Sequence, residues 1–312
     1  MKAAILVNFS AKYNSGESNW HSIKEEVLSA LPKETSVISY RVPFDIEECV
    51  RGLIVNEKTK CIISAGGDGS LNYILNAIIK CKGESLKNIY LGAIGLGSNN
   101  DFLKPNPKTV KGIPCKINTH KPRFVDIGKA TFRNKDLKKQ IRYFIINASL
   151  GFTALGNLLF NEGDFIINKL KSLNLVNLAI YYTVLKTLLK YRNDHIVVRY
   201  ESHEEKIRVT NFSIVKNPNI TDNFRYDQDI RPDDGLLGVN YCYDMSKLGV
   251  INVLKDLMKG KFSGKPKRKS ILTKNIKIDA EDFLLLETDG EIQLARDIEF
   301  SLIPKAIQVL GN

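Results

Sequence analysis

Disulfide chemistry has little to work with in this chain. Only five cysteines occur in 312 residues. They stand at Cys49, Cys61, Cys81, Cys115 and Cys242, odd in number, scattered and without a C-x-x-C pair. That spacing argues against a disulfide framework and against a structural zinc site. Histidine is scarcer still: His21 and His120 sit in polar surroundings, His195 and His203 flank a hairpin pattern, and no serine, histidine and aspartate grouping suggests hydrolysis. Long apolar runs are also missing. One charge-free, apolar-rich stretch, Ser172 to Leu185, contains Asn174 and Asn177 and stops at Lys186, short of the roughly 20 residues that a spanning helix needs. Met1 to Val7 leads into Asn8 and a polar loop, so no secretory signal is read there. There is no internal repeat. Acid is in deficit, with 34 Asp and Glu against 46 Lys and Arg, a net charge of +12. The absences point to reduced thiols and a cytoplasmic protein.

What is present is ordinary in bulk and specific in detail. An apolar content of 43% and a charged content of 26% are those of a globular protein, and the length suits two domains. Cys61 to Ala65 reads as a short buried strand, and Leu71, Ile74, Leu75, Ile78 and Ile79 follow a helical period. Between them lies Gly66-Gly67-Asp68-Gly69-Ser70. A glycine-rich turn from strand to helix lets backbone approach a ligand closely, and a helix N-terminus presents N–H groups to an anion such as phosphate. Asp68 is the odd member, because a carboxylate beside a phosphate needs a cation between them. A second strand-like run, Ile89 to Ile94, ends in Gly95-Leu96-Gly97-Ser98-Asn99-Asn100-Asp101-Phe102. In an open α/β sheet, loops at the carboxyl ends of strands gather around ligands, so the two loops are expected to line one crevice.

These two loops resemble those of the diacylglycerol kinase catalytic family, in particular its soluble bacterial lipid kinases of two-domain type. Gly66 to Asn72 looks like the GGDGT loop followed by Leu-Asn, and Gly97 to Phe102 like the GTxNDF loop. Val125-Asp126-Ile127-Gly128, Arg142 to Asn147, Asp233-Asp234-Gly235-Leu236-Leu237 and Asp289-Gly290-Glu291 look like later family segments, in family order over almost the whole length. Two threonines are serines here (Ser70, Ser98). The glycine-rich stretch usual before DDG is replaced by Asn217 to Arg225, which leaves the acceptor open.

The expected fold is α/β plus β. An N-terminal Rossmann-like α/β domain, residues 1–127 plus 298–312, carries the GGDG phosphate loop, because strands and helices alternate over 1–127. A mainly antiparallel β-sandwich domain, 128–297, is expected to take the lipid. Its strand candidates are Arg142 to Ser149, Ile196 to Tyr200, Ile207 to Val215, Leu237 to Tyr243, Ile276 to Ile278 and Phe283 to Leu286, interrupted by helical stretches near 164–191 and 246–259.

The resemblance implies ATP as co-substrate and Mg²⁺. Gly66, Gly67, Asp68, Gly69, Ser70, Leu71 and Asn72, with Gly97 and Ser98, are expected to hold ATP phosphates. Asp68, Asp101 and Asp126 are expected to share a water-and-Mg²⁺ network. On the residues alone, Asp101 also reads as a helix cap and Asp126 as a solvated strand-end charge. Glu291 is the implied proton acceptor, although Asp289-Gly290 also reads as an ordinary hairpin turn. A separate Mg²⁺ away from the reaction centre is implied at Asp234 with the carbonyls of Arg231 and Leu236.

The basic run from Lys259 to Lys274, with Lys261, Lys265, Lys267, Arg268 and Lys269, attracts anions in general. Beside a lipid kinase it reads as peripheral contact with an anionic membrane. No aromatic platform accompanies it, so nucleic acid is not an expected partner; a homodimer is left open. The reading is an ATP- and Mg²⁺-dependent lipid kinase of phospholipid metabolism, acting on a lipid such as diacylglycerol at a membrane surface. The alternatives are a phosphotransferase of NAD kinase type, which shares the GGDGT loop, and a catalytically inactive lipid- or nucleotide-sensing module. A phosphofructokinase, which also carries GGDGS, disagrees with the β-rich second half.

Overall fold

The computed structural model describes residues 1–105, 107–173, 175–220 and 224–312, with backbone alone at Tyr13 and Asn14. Thr221, Asp222 and Asn223 of the substituted loop therefore lie outside the described residues. The chain divides into two compact units, Met1–Ile127 with Ile303–Asn312, and Gly128–Leu302.

In the first unit a parallel sheet runs in the order Leu86–Gly95, Cys61–Gly66, Ala3–Asn8, Thr35–Tyr40. These strands read as near-continuous apolar runs because helices cover both faces of such a sheet. Ala3 to Val7 and Cys61 to Gly66 are buried residue by residue. Helix Gly16–Ser29 buries Trp20, Ile23 and Val27. Helix Asp68–Lys82 buries the stripe read from the sequence, Leu71, Ile74, Leu75, Ile78 and Ile79, and stops at Gly83, whose φ of 71° closes the end. Near the C-terminus, Ile307 to Val309 add a parallel partner to Leu86–Gly95. The register pairs Ala65 with Ile94 and Gly66 with Gly95, so these two strands finish at one level. That places the two glycine-rich loops side by side.

The second unit is antiparallel throughout its main sheet. His203–Val215 is its axis: its first part pairs with Asp194–Tyr200, and its last part lies between Leu237–Tyr243 and Asn147–Gly151. Asn147–Gly151 also pairs with Leu284–Thr288, which forms a hairpin with the long strand Glu291–Gly311. The core between them is apolar and aromatic, with Phe132, Phe144, Phe212, Tyr241 and Phe300 all buried. Phe212 stacks on Tyr241 at 4.9 Å between centroids. The expected strand Arg142 to Ser149 is two strands, Lys139–Phe144 and Asn147–Gly151. The expected helical stretch near 164–191 is two helices, Phe165–Ser172 and Val176–Lys190. A further helix, Phe152–Glu162, precedes them. No helix among the described residues is long and apolar enough to cross a membrane.

Candidate active site

The first unit brings most of the expected phosphate residues to one edge. Gly67 caps helix Asp68–Lys82 without any side-chain hydrogen bond. Leu71 and Asn72 are buried inside that helix, whereas Ser98 is exposed on the neighbouring loop. The Ser70 hydroxyl accepts from Asn8 Nδ2 at 3.0 Å. The glycines also serve the packing of the two loops. A Cβ on Gly97 would stand 2.3 Å from the Gly67 Cα, and one on Gly66 would stand 2.6 Å from Ser70 Oγ. Here the missing side chains let the two loops approach each other. The backbones are then joined, Asp68 N–H donating to the Asn99 carbonyl at 3.2 Å and Leu96 N–H to the Gly66 carbonyl at 3.0 Å.

Asp68 completes the interlock. Its carboxylate accepts from the backbone N–H of Asp101 at 2.8 Å and of Phe102 at 3.2 Å. Those are the leading amides of the short 3₁₀ turn Asp101–Leu103. Asp68 and Asp101 are thus brought together, and Asp68 has a structural task beside any chemical one.

Two lysines that sequence reasoning passed over join this corner. Lys104 Nζ lies 2.7 Å from Asp101, whose side chain is buried. Lys116 Nζ donates to the Phe102 carbonyl at 2.6 Å and stands 4.6 Å from the centre of the Phe102 ring. Burial pushes the Lys116 ammonium down to about 8, while the charge of Asp68 works in the opposite direction. A cation next to Asp68 was required by the argument from charge. In this corner the chain itself supplies two.

Asp126 is buried elsewhere in the first unit, where its carboxylate accepts the Lys305 N–H at 2.8 Å. Lys305 has a φ of 46°, so Asp126 braces a left-handed position within the long strand Glu291–Gly311.

In the second unit, Thr288 pairs with Glu291 across a two-residue turn. Asp289 and Gly290 both have positive φ, 47° and 96°, as a type I′ hairpin turn requires. The hairpin is therefore real, and it separates the two acids. Asp289 is buried, and its carboxylate accepts from the N–H groups of Ile145, Ile146 and Asn147 at 2.9, 3.0 and 2.9 Å. Glu287 braces the same turn by accepting from Gly290 N–H and the Ser149 hydroxyl, both at 2.6 Å. Glu291 begins the outgoing strand and is half-buried.

The atoms expected to hold a separate Mg²⁺ meet a side chain of the protein itself. Asp234 and the carbonyls of Arg231 and Leu236 do converge, but on the ammonium of Lys216, at 3.0, 3.0 and 2.7 Å. Burial works to raise the Asp234 carboxyl, and hydrogen bonds from Lys216 and from the Leu236 and Arg231 N–H groups outweigh it, holding the group below its ordinary value. No group of three or more acidic, histidine or cysteine side chains fit for a metal occurs among the described residues.

The basic run near 259–274 is also less available than its composition suggests. Lys265 and Arg268 pair with Asp256 at 2.7 and 2.8 Å, Lys269 pairs with Glu205 at 2.6 Å, and Lys267 donates to the Asp244 carbonyl at 2.9 Å.

Residues 2–130 match the diacylglycerol kinase catalytic domain, and residues 163–311 match the YegS C-terminal NAD kinase beta sandwich-like domain. The chain belongs to the diacylglycerol kinase catalytic family. It is 24% identical over 255 residues to a Staphylococcus epidermidis protein named "Putative lipid kinase", covering 78% of this chain and 74% of that one. Its fold is shared with a crystal structure described as a diacylglycerol kinase from Bacillus anthracis, at a TM-score of 0.70 and 16% identity, covering 100% of this chain and 97% of the other. A yeast NADH kinase crystallised with NADH shares the fold more loosely, at a TM-score of 0.51 and 10% identity, covering 100% of this chain and 84% of that one.

Proposed function

We propose that the chain is a lipid kinase that uses ATP with Mg²⁺ and transfers the γ-phosphate to a hydroxyl of a lipid such as diacylglycerol. The observation that carries this reading is the interlock of the two glycine-rich loops through Asp68, with Lys104 and Lys116 beside it, in a chain of this family. Phosphoryl transfer asks for positioned phosphates and offset charge. Helix N-terminal amides in the Gly66 to Asn72 segment and the Ser98 hydroxyl are assigned to the ATP phosphates, Asp68 and Asp101 to the network that meets Mg²⁺ arriving with ATP, and Asp126 to support of that network. Glu291 is assigned the proton of the attacking hydroxyl. Asp289, which accepts three backbone N–H groups, is assigned the shape of the turn.

A lipid acceptor at a membrane surface is supported by helix Val176–Lys190. Its buried positions are Ala179, Thr183, Thr187 and Leu188, three of the four small or hydroxylated. The two threonine hydroxyls donate to carbonyls of their own helix at 2.7 Å. Its outward positions are large and apolar: Leu178, Tyr181, Leu185 and, 67% exposed, Leu189. Phe165 and Ile166 on the preceding helix are exposed as well. A water-facing helix has the opposite pattern, and contiguous exposed apolar surface marks an interaction site. Exposed Lys169, Lys190 and Arg192 accompany it, as contact with anionic lipid would require, while Lys186 pairs with Asp164 at 2.8 Å and Lys171 is buried. This face, more than the paired run at 259–274, is assigned to the membrane.

The kinase reading is tested by incubating γ-labelled ATP and Mg²⁺ with a panel of glycerolipids and sphingoid lipids in mixed micelles, with NAD as a separate acceptor. Label in a lipid supports it. Label entering NAD alone would replace it with the NAD kinase alternative, and ATP binding without transfer to any acceptor would favour an inactive sensing module.

A further inference from the structure

We infer that Lys216 is a built-in cation: its ammonium takes the place of a divalent metal at the Arg231–Leu236 turn and holds the segment that carries the Asp289 turn. The lysine side chain is 1% exposed and the Asp234 side chain 8% exposed. A buried charge is costly unless paired and hydrogen-bonded. Lysine has three N–H donors, and three oxygens receive them, Asp234 Oδ1 at 3.0 Å, the Arg231 carbonyl at 3.0 Å and the Leu236 carbonyl at 2.7 Å. Asp234 in turn accepts from the N–H groups of Arg231 at 3.1 Å and Leu236 at 3.0 Å. The turn is thus folded around one positive centre, with Gly235 at a φ of 72° allowing the chain to wrap it.

The distances and the occupant both exclude a metal at the same atoms. Mg²⁺ demands near-octahedral oxygen ligands at roughly 2.0–2.1 Å and keeps several waters. The lysine nitrogen already sits at hydrogen-bond distance from these oxygens. A second cation there would face uncompensated repulsion against a single carboxylate.

The tether gives the lysine a reach that a free ion lacks. Its own N–H donates to the Ile146 carbonyl at 2.8 Å, and the next N–H, of Asn217, donates to the same carbonyl at 3.2 Å. Ile145, Ile146 and Asn147 are the residues whose N–H groups the Asp289 carboxylate receives. A path of hydrogen bonds, with the Lys216 side chain as its covalent link, therefore runs from the Arg231–Leu236 turn to the loop under Asp289, two residues from Glu291. Lys216 is a positioning residue for that hairpin.

The test is thermal unfolding without nucleotide, so it stands apart from the kinase reading. Wild-type protein is expected to melt at the same temperature in 5 mM Mg²⁺ and in EDTA. Lys216→Ala should melt on the order of 10 °C lower, the scale of breaking a buried pair in a domain of this size. Millimolar Mg²⁺ or propylammonium should restore part of the loss, because the substitution leaves a cation-sized vacancy before an unpaired carboxylate. Lys216→Met, which fills the space without charge, should be destabilised and not restored. If Lys216→Ala does not fold, calorimetry on the wild type decides. Mg²⁺ binding that survives Asp68→Asn but is lost in Asp234→Asn would overturn the inference. So would a Lys216→Met protein as stable as wild type. In the kinase assay, Lys216→Ala should lose kcat with ATP affinity retained, and additional Mg²⁺ should recover it.

Discussion

At the scale of single residues, the two acids of the Asp289-Gly290-Glu291 segment have opposite surroundings, and their substitutions should separate. Asp289→Asn turns one accepting oxygen into a donor facing backbone N–H groups, at a site where three such groups converge. The cost of an unsatisfied buried donor is about 1–3 kcal/mol, so thermal melting should fall by several degrees whatever happens to catalysis. Glu291→Gln keeps the shape of a half-buried strand residue. It should leave melting and ATP binding in place while turnover falls by about 10²-fold or more, the scale of losing a positioned base. Equal loss of stability in both, seen by scanning calorimetry, would remove the distinction.

Lys116 gives a pH signature. Burial lowers its ammonium from 10.5 to about 8 in the folded chain. Below pH 8 the group is charged in both folded and unfolded states, and the burial cost is fully present. Between about 8 and 10.5 the unfolded chain holds the proton that the folded one releases, so stability contributed through this group rises with pH. Wild type should therefore gain stability relative to Lys116→Met across that window, as read from urea midpoints. ATP affinity should fall over the same range, because the cation beside Asp68 is lost. Lys116→Arg, always protonated, should flatten the affinity profile.

At the scale of elements, the decisive contact is between loops. Gly97→Ala must push a Cβ into the Gly67 backbone, 2.3 Å from its Cα. We expect loss of ATP binding by calorimetry together with a lower melting temperature. Gly69, in the first turn of the helix, should tolerate alanine for stability and lose ATP affinity alone. Much of this layout was legible beforehand. The period of Leu71 to Ile79 announced its helix, and the apolar strands announced a parallel sheet, because those signals are local. The two chain breaks were not. Arg142 to Ser149 reads as one strand, but Asp289, far along the chain, takes the N–H groups of Ile145 to Asn147 and ends the ladder there. The stretch near 164–191 holds two helices, the first capped by Asp164 through the Ile167 N–H at 2.9 Å and the second beginning at Val176. Lys116 and Lys216 were hidden for a statistical reason: each is one of 46 Lys and Arg residues, and only folding reveals which of them are buried against oxygens.

At the scale of the whole molecule, the chain combines a parallel α/β unit bearing the interlocked loops with an antiparallel unit bearing helix Val176–Lys190 and its exposed apolar residues. Leu185→Glu with Leu189→Glu should reduce sedimentation with vesicles containing phosphatidylglycerol by tenfold or more. It should leave melting nearly unchanged, since both side chains are already exposed. Unaltered sedimentation would place membrane contact elsewhere. Net charge predicts in addition that binding weakens with salt, through screening of the basic residues beside that helix.

The central claim is phosphoryl transfer from ATP to a lipid by the Asp68 corner. The most direct measurement is the initial rate of label transfer from γ-labelled ATP into diacylglycerol in mixed micelles with Mg²⁺, for wild type beside folded Asp68→Asn. The account predicts labelled lipid from the wild type and none above background from the variant. Equal labelling by the two proteins, or label that reaches NAD and never a lipid, would contradict it.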